Sequence, residues 1–437
     1  MEASRELRRR IGLPAAAALV VGGTIGVGIF LTPAAMAAGL ASPALLLLVW
    51  LFVGGSAFCG ALCFGELAAR YPEAGGGYVY LREAFGPRVA FLYGWKCLLV
   101  MDPGLTAALA TGLGAYAAAV VPALDPKAVA LGGIVLAAAA NVAGVRLASG
   151  IGEFLGLAKI GLLVLLVVWG FSSGAGEITR FVPFVGRHPG APPLVAALAG
   201  AVVSAFFSFG GWWEASKLAG EVKDPQRTVP RALALGVATV TLLYVAVSAV
   251  FFYLVPLEAV TSGETFAAQA GTALFGAAGG RVLAALVALS VLGSLFAFMT
   301  MAPRVYYAMA RDGAGPAIVG RLDPRTGAPV RAIVIQAGLG ALLVALGTFD
   351  AIVAYFVFVT VAFLGLTVAG LFRLRRRGPA TAYETPLFPL TPILFLASIA
   401  LVLVLLASGR PREAALGVGV VALGVPAYTL LRRSKTT

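Results

Sequence analysis

A chain of 437 residues that is 60% hydrophobic and 12% charged, with a mean hydropathy of +0.97, does not read as a set of soluble domains. The formal charge of +13 does not mark a nucleic-acid binder, because the basic residues collect in alternate short loops between long apolar runs. Three cysteines inside apolar runs (Cys59, Cys63, Cys97) and one histidine, His188, in a Pro/Gly-rich loop offer no disulfide frame, metal-ligand spacing or catalytic dyad, which argues against an enzyme.

Apolar runs of about 18 to 25 residues recur from end to end, each able to cross a hydrocarbon core of roughly 30 Å as a helix. Twelve spans are predicted, at 11–38, 43–69, 86–119, 127–144, 151–172, 193–214, 231–255, 280–309, 331–347, 350–372, 387–408 and 412–431. The opening "RELRRR", the apolar run and "AMA" outline a secretory signal cut near Met36, but eleven further spans make the first run part of the body.

The first span is interrupted by "GGTIGVGIF", Gly22 to Phe30. Unwinding a helix in lipid strands backbone N–H and C=O groups at several kcal/mol each, unless another group takes those bonds. A zwitterion is such a group. A half-helix beginning near Gly28 offers N–H groups and the positive end of a dipole to a carboxylate. Carbonyls from Gly22 to Ile25, and from Phe206 to Phe209, suit an ammonium, and glycines let a ligand approach the backbone. The plainer alternative is close helix packing, for which Gly22 and Gly26 have the small-xxx-small spacing.

Farther along, Glu66 and Glu214 fall near the cytoplasmic ends of spans 2 and 6. Ion pairs with Arg70 and Lys217 are expected there, with an inner-gate latch as the alternative. Lys96 in span 3 reads as a snorkelling residue. Asp102, just before Pro103, reads as a polar plug at a local helix break, with a proton or cation role as the alternative. Lys159 lies about eight residues into span 5, where a charge is a functional candidate by default. Span 6 is broken again at Gly210 and Gly211, in "FFSFGGWWEASKLAG".

Two broken helices half a chain apart predict a repeat: spans 1–5 (11–172) and spans 6–10 (193–372), with spans 11 and 12 (387–431) outside it. Five helices per block inverts one block relative to the other, and the substrate site of such transporters lies where the broken helices meet. With the N-terminus inside, most Lys and Arg fall on the cytoplasmic side, including Arg70, Arg227, Arg304 and the run "RLRRR" from Arg373, which is read as facing anionic lipid. Both termini are therefore expected in the cytoplasm. The 26 arginines against 6 lysines, with abundant Ala and Gly, suit a bacterial inner membrane protein from a GC-rich genome.

"GGTIGVGIFLTP", "FGELAARYPEAGGGYVYLREAFG", "FSFGGWWEASKLAGEVKDPQRTVPRA" and "RVYYAMARDGAGP" resemble, in order, four signatures of the amino acid–polyamine–organocation transporter superfamily, nearest its L-type and bacterial exchangers. The resemblance covers nearly the whole chain. It implies an all-α membrane protein of leucine-transporter type, with five-plus-five inverted repeats and two peripheral helices. It implies a substrate carboxylate at the N–H groups of Gly26, Val27 and Gly28, and an ammonium at carbonyls near Gly22, Ile25 and Phe206. Phe207 matches the aromatic that closes over the substrate from outside, with Phe209 and Gly210 in the same segment. Lys159 matches a lysine that fills the place of a sodium ion in sodium-independent members. Its ammonium would bridge span 1 to Ser294 of span 8, and loss of its proton would loosen that bridge. Val27 departs from the serine of many relatives, and Trp213 from the asparagine of several L-type members, which puts a preference for large side chains in doubt.

The reading is a sodium-independent amino acid transporter working by alternating access, with exchange ahead of proton symport and no cofactor. Coupling falls to Lys159, Ser294 and Asp102, with protons as the alternative driving ion. A polyamine or organic cation carrier using Asp102 or Glu214, and a transport-inactive amino acid sensor, are the competing readings. The expected partners are the amino acid and membrane lipids; oligomeric state, like the particular amino acid, is not readable.

Overall fold

The computed structural model describes residues 9, 11–182, 184–187, 190–256, 260, 266–315, 318–326, 328–347, 349–409 and 411–433. His188 lies outside them. Among the described residues the chain is helical, and the one extended contact is an isolated parallel bridge between Ile11 and Val222.

The first span is two helices, α1 (Leu13–Thr24) and α2 (Gly28–Leu40), bent by 46° across Ile25–Val27. Then come α3 (Pro43–Arg70) and the short α4 (Gly77–Phe85). The third span is composite: α5 (Pro87–Lys96), a π turn (Cys97–Met101) and α6 (Asp102–Val120) run on as one 34-residue length. The break expected at Pro103 takes this form. Asp102 N–H reaches back to Cys97 O, an i→i−5 bond that lets a residue be inserted before the proline.

Next are α7 (Pro126–Ala143) and α8 (Val145–Ser172). The sixth span is α9 (Leu194–Ser208), a turn at Phe209–Gly211 and a 3-10 segment, Trp212–Glu221. The remainder is α10 (Pro225–Leu254), α11 (Phe266–Met301, interrupted at Gly276), α12 (Pro303–Arg311), α13 (Val330–Leu346), α14 (Phe349–Arg377), α15 (Leu390–Gly409) and α16 (Pro411–Arg433).

Among the described residues ten helical lengths are long and apolar enough to cross a membrane, and the bent pair α1–α2 makes up to eleven. The predicted ninth span, α13, is a shorter apolar helix of 17 residues. Leu48, Phe154, Leu165, Val195, Leu242 and Val404 are exposed apolar residues on these helices, as a lipid-facing surface requires.

Local chemistry sets the ends. Ser42 accepts from Leu45 N and Asp125 from Lys127 N, and Pro43 and Pro126 occupy first-turn positions where no N–H is needed. Two loop arginines cap helix C-termini: Arg187 donates to Leu40 O (2.9 Å) and Gly39 O (3.1 Å), and Arg180 to Leu254 O (2.6 Å).

Three residues sit differently from expectation. Lys96 does not reach the membrane surface. It is 1% exposed, with Nζ 2.8 Å from Met101 Sδ and 4.6 Å from the Tyr93 ring centre, because the packed end of the third span leaves its stem no path outward. Arg375, in the run assigned to lipid, instead donates to Glu66 (Nη2 to Oε2, 2.7 Å), since a fully buried carboxylate draws the nearest guanidinium. Glu214 keeps its expected partner Lys217 but is 2% exposed, deep in the bundle rather than at its inner end.

Candidate functional site

α1 packs on α8 and α10, α2 on α9, and α11 on α6 and α8, which brings the two helix breaks face to face. Gly211 makes the approach possible. Its φ of +110° belongs to the left-handed region, and a Cβ there would fall on the Gly23 carbonyl oxygen. On the other side of the crossing, Gly28 abuts the Ser208 backbone, and Thr32 Oγ1 and Ser208 Oγ are 2.8 Å apart. Tyr244 of α10 ties both breaks together, its single hydroxyl proton shared between Ser208 O at 2.9 Å and Thr24 O at 3.2 Å. Nothing in the run around Tyr244 marks it in the sequence.

The breaks enclose a cavity of about 30 Å³. Of the predicted site residues, Gly26, Val27, Gly28, Phe207, Gly210 and Ser294 line it, joined by Ser208, Glu214, Phe298 and Met301, among others. The first N–H groups of α2 lie at its wall, and the initial N–H groups of a helix have no acceptor within the helix itself.

The other predicted residues lie elsewhere, each for a packing reason. Ile25 is wholly buried and turns its carbonyl toward α8. Phe206 lines an adjoining small cavity with Met101, Trp213 and Phe356, which shares Leu105, Phe207 and Gly210 with the first. Phe209 packs at an angle against Trp50 and edge-to-face against Tyr244, at ring-centre distances of 6.0 and 5.1 Å. Asp102 does not line the cavity but sits beside α12, where Tyr306 donates to Oδ2, within electrostatic reach of the Glu214–Lys217 pair. It therefore joins a buried polar group in the third span rather than the cavity.

Two larger cavities flank the small one. One of about 720 Å³ lies between α2, α6, α9 and α15, and Phe207 lines both it and the small cavity. The other, about 270 Å³, is bordered by α1, α8, α11 and the 3-10 segment, and shares Gly23 and Met301 with the small one. At its rim Arg304 and Glu221 approach to 3.5 Å.

Lys159 and Gly22 line this second cavity. The Lys159 ammonium, 2% exposed, donates to Gly22 O (2.7 Å), Ile25 O (2.7 Å) and Ser294 Oγ (2.6 Å). Three acceptors satisfy its three protons, which is what a buried ammonium requires. Two of the three carbonyls expected to receive a substrate ammonium, those of Gly22 and Ile25, are thus engaged by Lys159 in this structure.

An all-helical membrane bundle in which two interrupted helices meet around an enclosed cavity, with larger cavities on either side, has the organisation of a multi-pass transport protein. The chain belongs to the amino acid permease family, which matches residues 11–424. It is 28% identical over 431 residues to the mouse (Mus musculus) Asc-type amino acid transporter 1, covering 97% of this chain and 81% of the relative. To the human (Homo sapiens) cystine/glutamate transporter it is 27% identical, over 97% of this chain and 85% of that one. The Bacillus subtilis serine/threonine exchanger SteT is 27% identical, over 99% and 98%. These relatives are transporters, and the chain is a transport protein rather than an enzyme.

Proposed function

We propose that the protein is a sodium-independent secondary transporter of amino acids that works by alternating access, with exchange of one amino acid for another ahead of proton symport. The Lys159 bridge carries this reading. A fixed ammonium between α1, α8 and α11 supplies the positive charge and the carbonyl ligation that a bound cation would otherwise supply between a broken helix and its neighbours. Relatives named as amino acid transporters and as a serine/threonine exchanger support the substrate class and the exchange mode.

In this reading the substrate carboxylate binds the N–H groups of Val27 and Gly28, and that of Gly26 once it leaves Thr24 O, to which it donates at 2.7 Å in this structure. Its ammonium meets carbonyls of the second break near Phe206, because those of Gly22 and Ile25 hold Lys159. Phe207 closes the small cavity toward the 720 Å³ cavity, which faces outside, and Gly23, Met301 and the Arg304–Glu221 pair close it toward the cytoplasm. With α13 counted, the spans number twelve, arranged as inverted repeats 11–172 and 193–372 and peripheral spans 387–431. The chain sits in a bacterial inner membrane with both termini cytoplasmic. Ser294 holds the Lys159 bridge on α11, while Asp102 acts from a distance through the third span.

Competition tests the substrate class. In proteoliposomes, uptake of labelled alanine is expected to be inhibited by other small amino acids and unaffected by putrescine. Inhibition by putrescine alone would assign the protein to organic cations.

A further inference from the structure

Glu214 puts a charged group on the wall of the substrate cavity that recognition of the amino acid backbone does not use. Its Oε2 accepts from Lys217 Nζ at 2.5 Å, and both side chains are almost wholly buried. Its Oε1 is buried and has no hydrogen-bond partner among the described residues, although the side chain lines the same cavity as Gly28, Ser208 and Gly210. A buried carboxylate oxygen without a donor is costly, and one at a cavity wall is a ready acceptor.

The chemistry of the donor follows from what surrounds it. Lys217 pairs with Glu214, and the neighbouring Asp102 and Lys96, which interact with both, add one charge of each sign; the buried cluster is already balanced, so a second cation on the Glu214 carboxylate would face the Lys217 ammonium at close range with no anion left to offset it. A neutral donor meets no such repulsion. Val27, Leu105, Leu109 and Phe298 stand around the cavity beside Glu214, so the group that reaches its carboxylate has to be short. We propose that Glu214 Oε1 is the determinant of side-chain specificity: it accepts a hydrogen bond from a side-chain hydroxyl, and the carrier prefers short hydroxy amino acids to apolar ones of the same size. This inference rests on the amino acid transport reading and narrows its substrate class.

The test uses the full chain in sodium-free proteoliposomes preloaded with alanine. Uptake of labelled alanine is competed by serine, by 2-aminobutyrate, which has a methyl in place of the hydroxyl, and by O-methylserine, which keeps the oxygen and loses the donor. Serine is expected to compete about tenfold better than either. In the double variant Glu214→Leu/Lys217→Met, which exchanges the buried pair for apolar groups of similar size, the ratio is expected to fall to about one. Equal competition by serine and 2-aminobutyrate in the unmodified chain would overturn the proposal, whether or not the double variant folds. An unchanged ratio in a folded double variant, or lysine competing better than serine, would overturn it as well. Absence of any alanine uptake would instead refute the transport reading, and the proposal with it.

Discussion

In the proposed reading the site depends on Lys159 and the glycines of the first break. Lys159→Ala removes the donor from Gly22 O, Ile25 O and Ser294 Oγ at once. Exchange in proteoliposomes is expected to fall by more than tenfold while the protein remains monodisperse; unaltered exchange would refute the bridge. The glycines divide into two kinds. A Cβ on Gly28 would lie 2.6 Å from Ser208 Cα, a backbone atom that cannot step aside, whereas one on Gly22 meets nothing within 4 Å. Gly28→Ala is therefore expected to cost about 1–3 kcal/mol, and Gly22→Ala little, read as melting temperatures of the purified variants. The sequence marked both glycines through the oddity of their cluster in an apolar run. It could not tell them apart, because the distinction lies in Ser208, 180 residues away. Glu214 was legible as half of an i,i+3 pair with Lys217, but its place on the cavity wall depends on how the second break turns at Gly211.

At the scale of elements, the breaks in spans 1 and 6 were readable because glycine is a poor residue for a helix interior and these glycines stand where lipid would penalise unwinding. The π turn before Asp102 was anticipated only as a disturbance around Pro103. Contacts between elements were the hard part. Arg70 was expected beside Glu66 from its i,i+4 spacing, and its Nη2 lies 2.8 Å from Oε1. Arg375 and Thr385 N, which also donate to Glu66, are more than 300 residues away in the chain. Glu66 is thus a staple between the end of α3, the end of α14 and the loop that follows it. Glu66→Gln leaves two guanidinium groups against a neutral amide, and a loss of about 3–5 kcal/mol is expected. Thermal unfolding of the variant in detergent measures it; a melting temperature equal to that of the unmodified protein would mean that the staple contributes nothing.

For the whole molecule, the hydropathy pattern located the helical lengths that are long and apolar enough to cross a membrane, because a bilayer imposes length and apolarity directly on the sequence, but not the short α4 between the second and third spans. Orientation was read from the Lys/Arg asymmetry between alternate loops, and it is testable independently of transport. With the native cysteines replaced, a cysteine at Leu124, in the loop before α7, is expected to react with an impermeant maleimide from outside the cell. One at Arg376, at the end of α14, should react only after permeabilisation. The reverse pattern would invert the topology and exchange the roles of the two large cavities. The most direct measurement of what the protein does is uptake of labelled alanine into sodium-free proteoliposomes, comparing vesicles preloaded with unlabelled amino acid against empty vesicles with and without an inward proton gradient. Exchange predicts uptake that requires the preload and is indifferent to sodium. Uptake that appears only when sodium is added would contradict the assignment of Lys159 to the place of that ion.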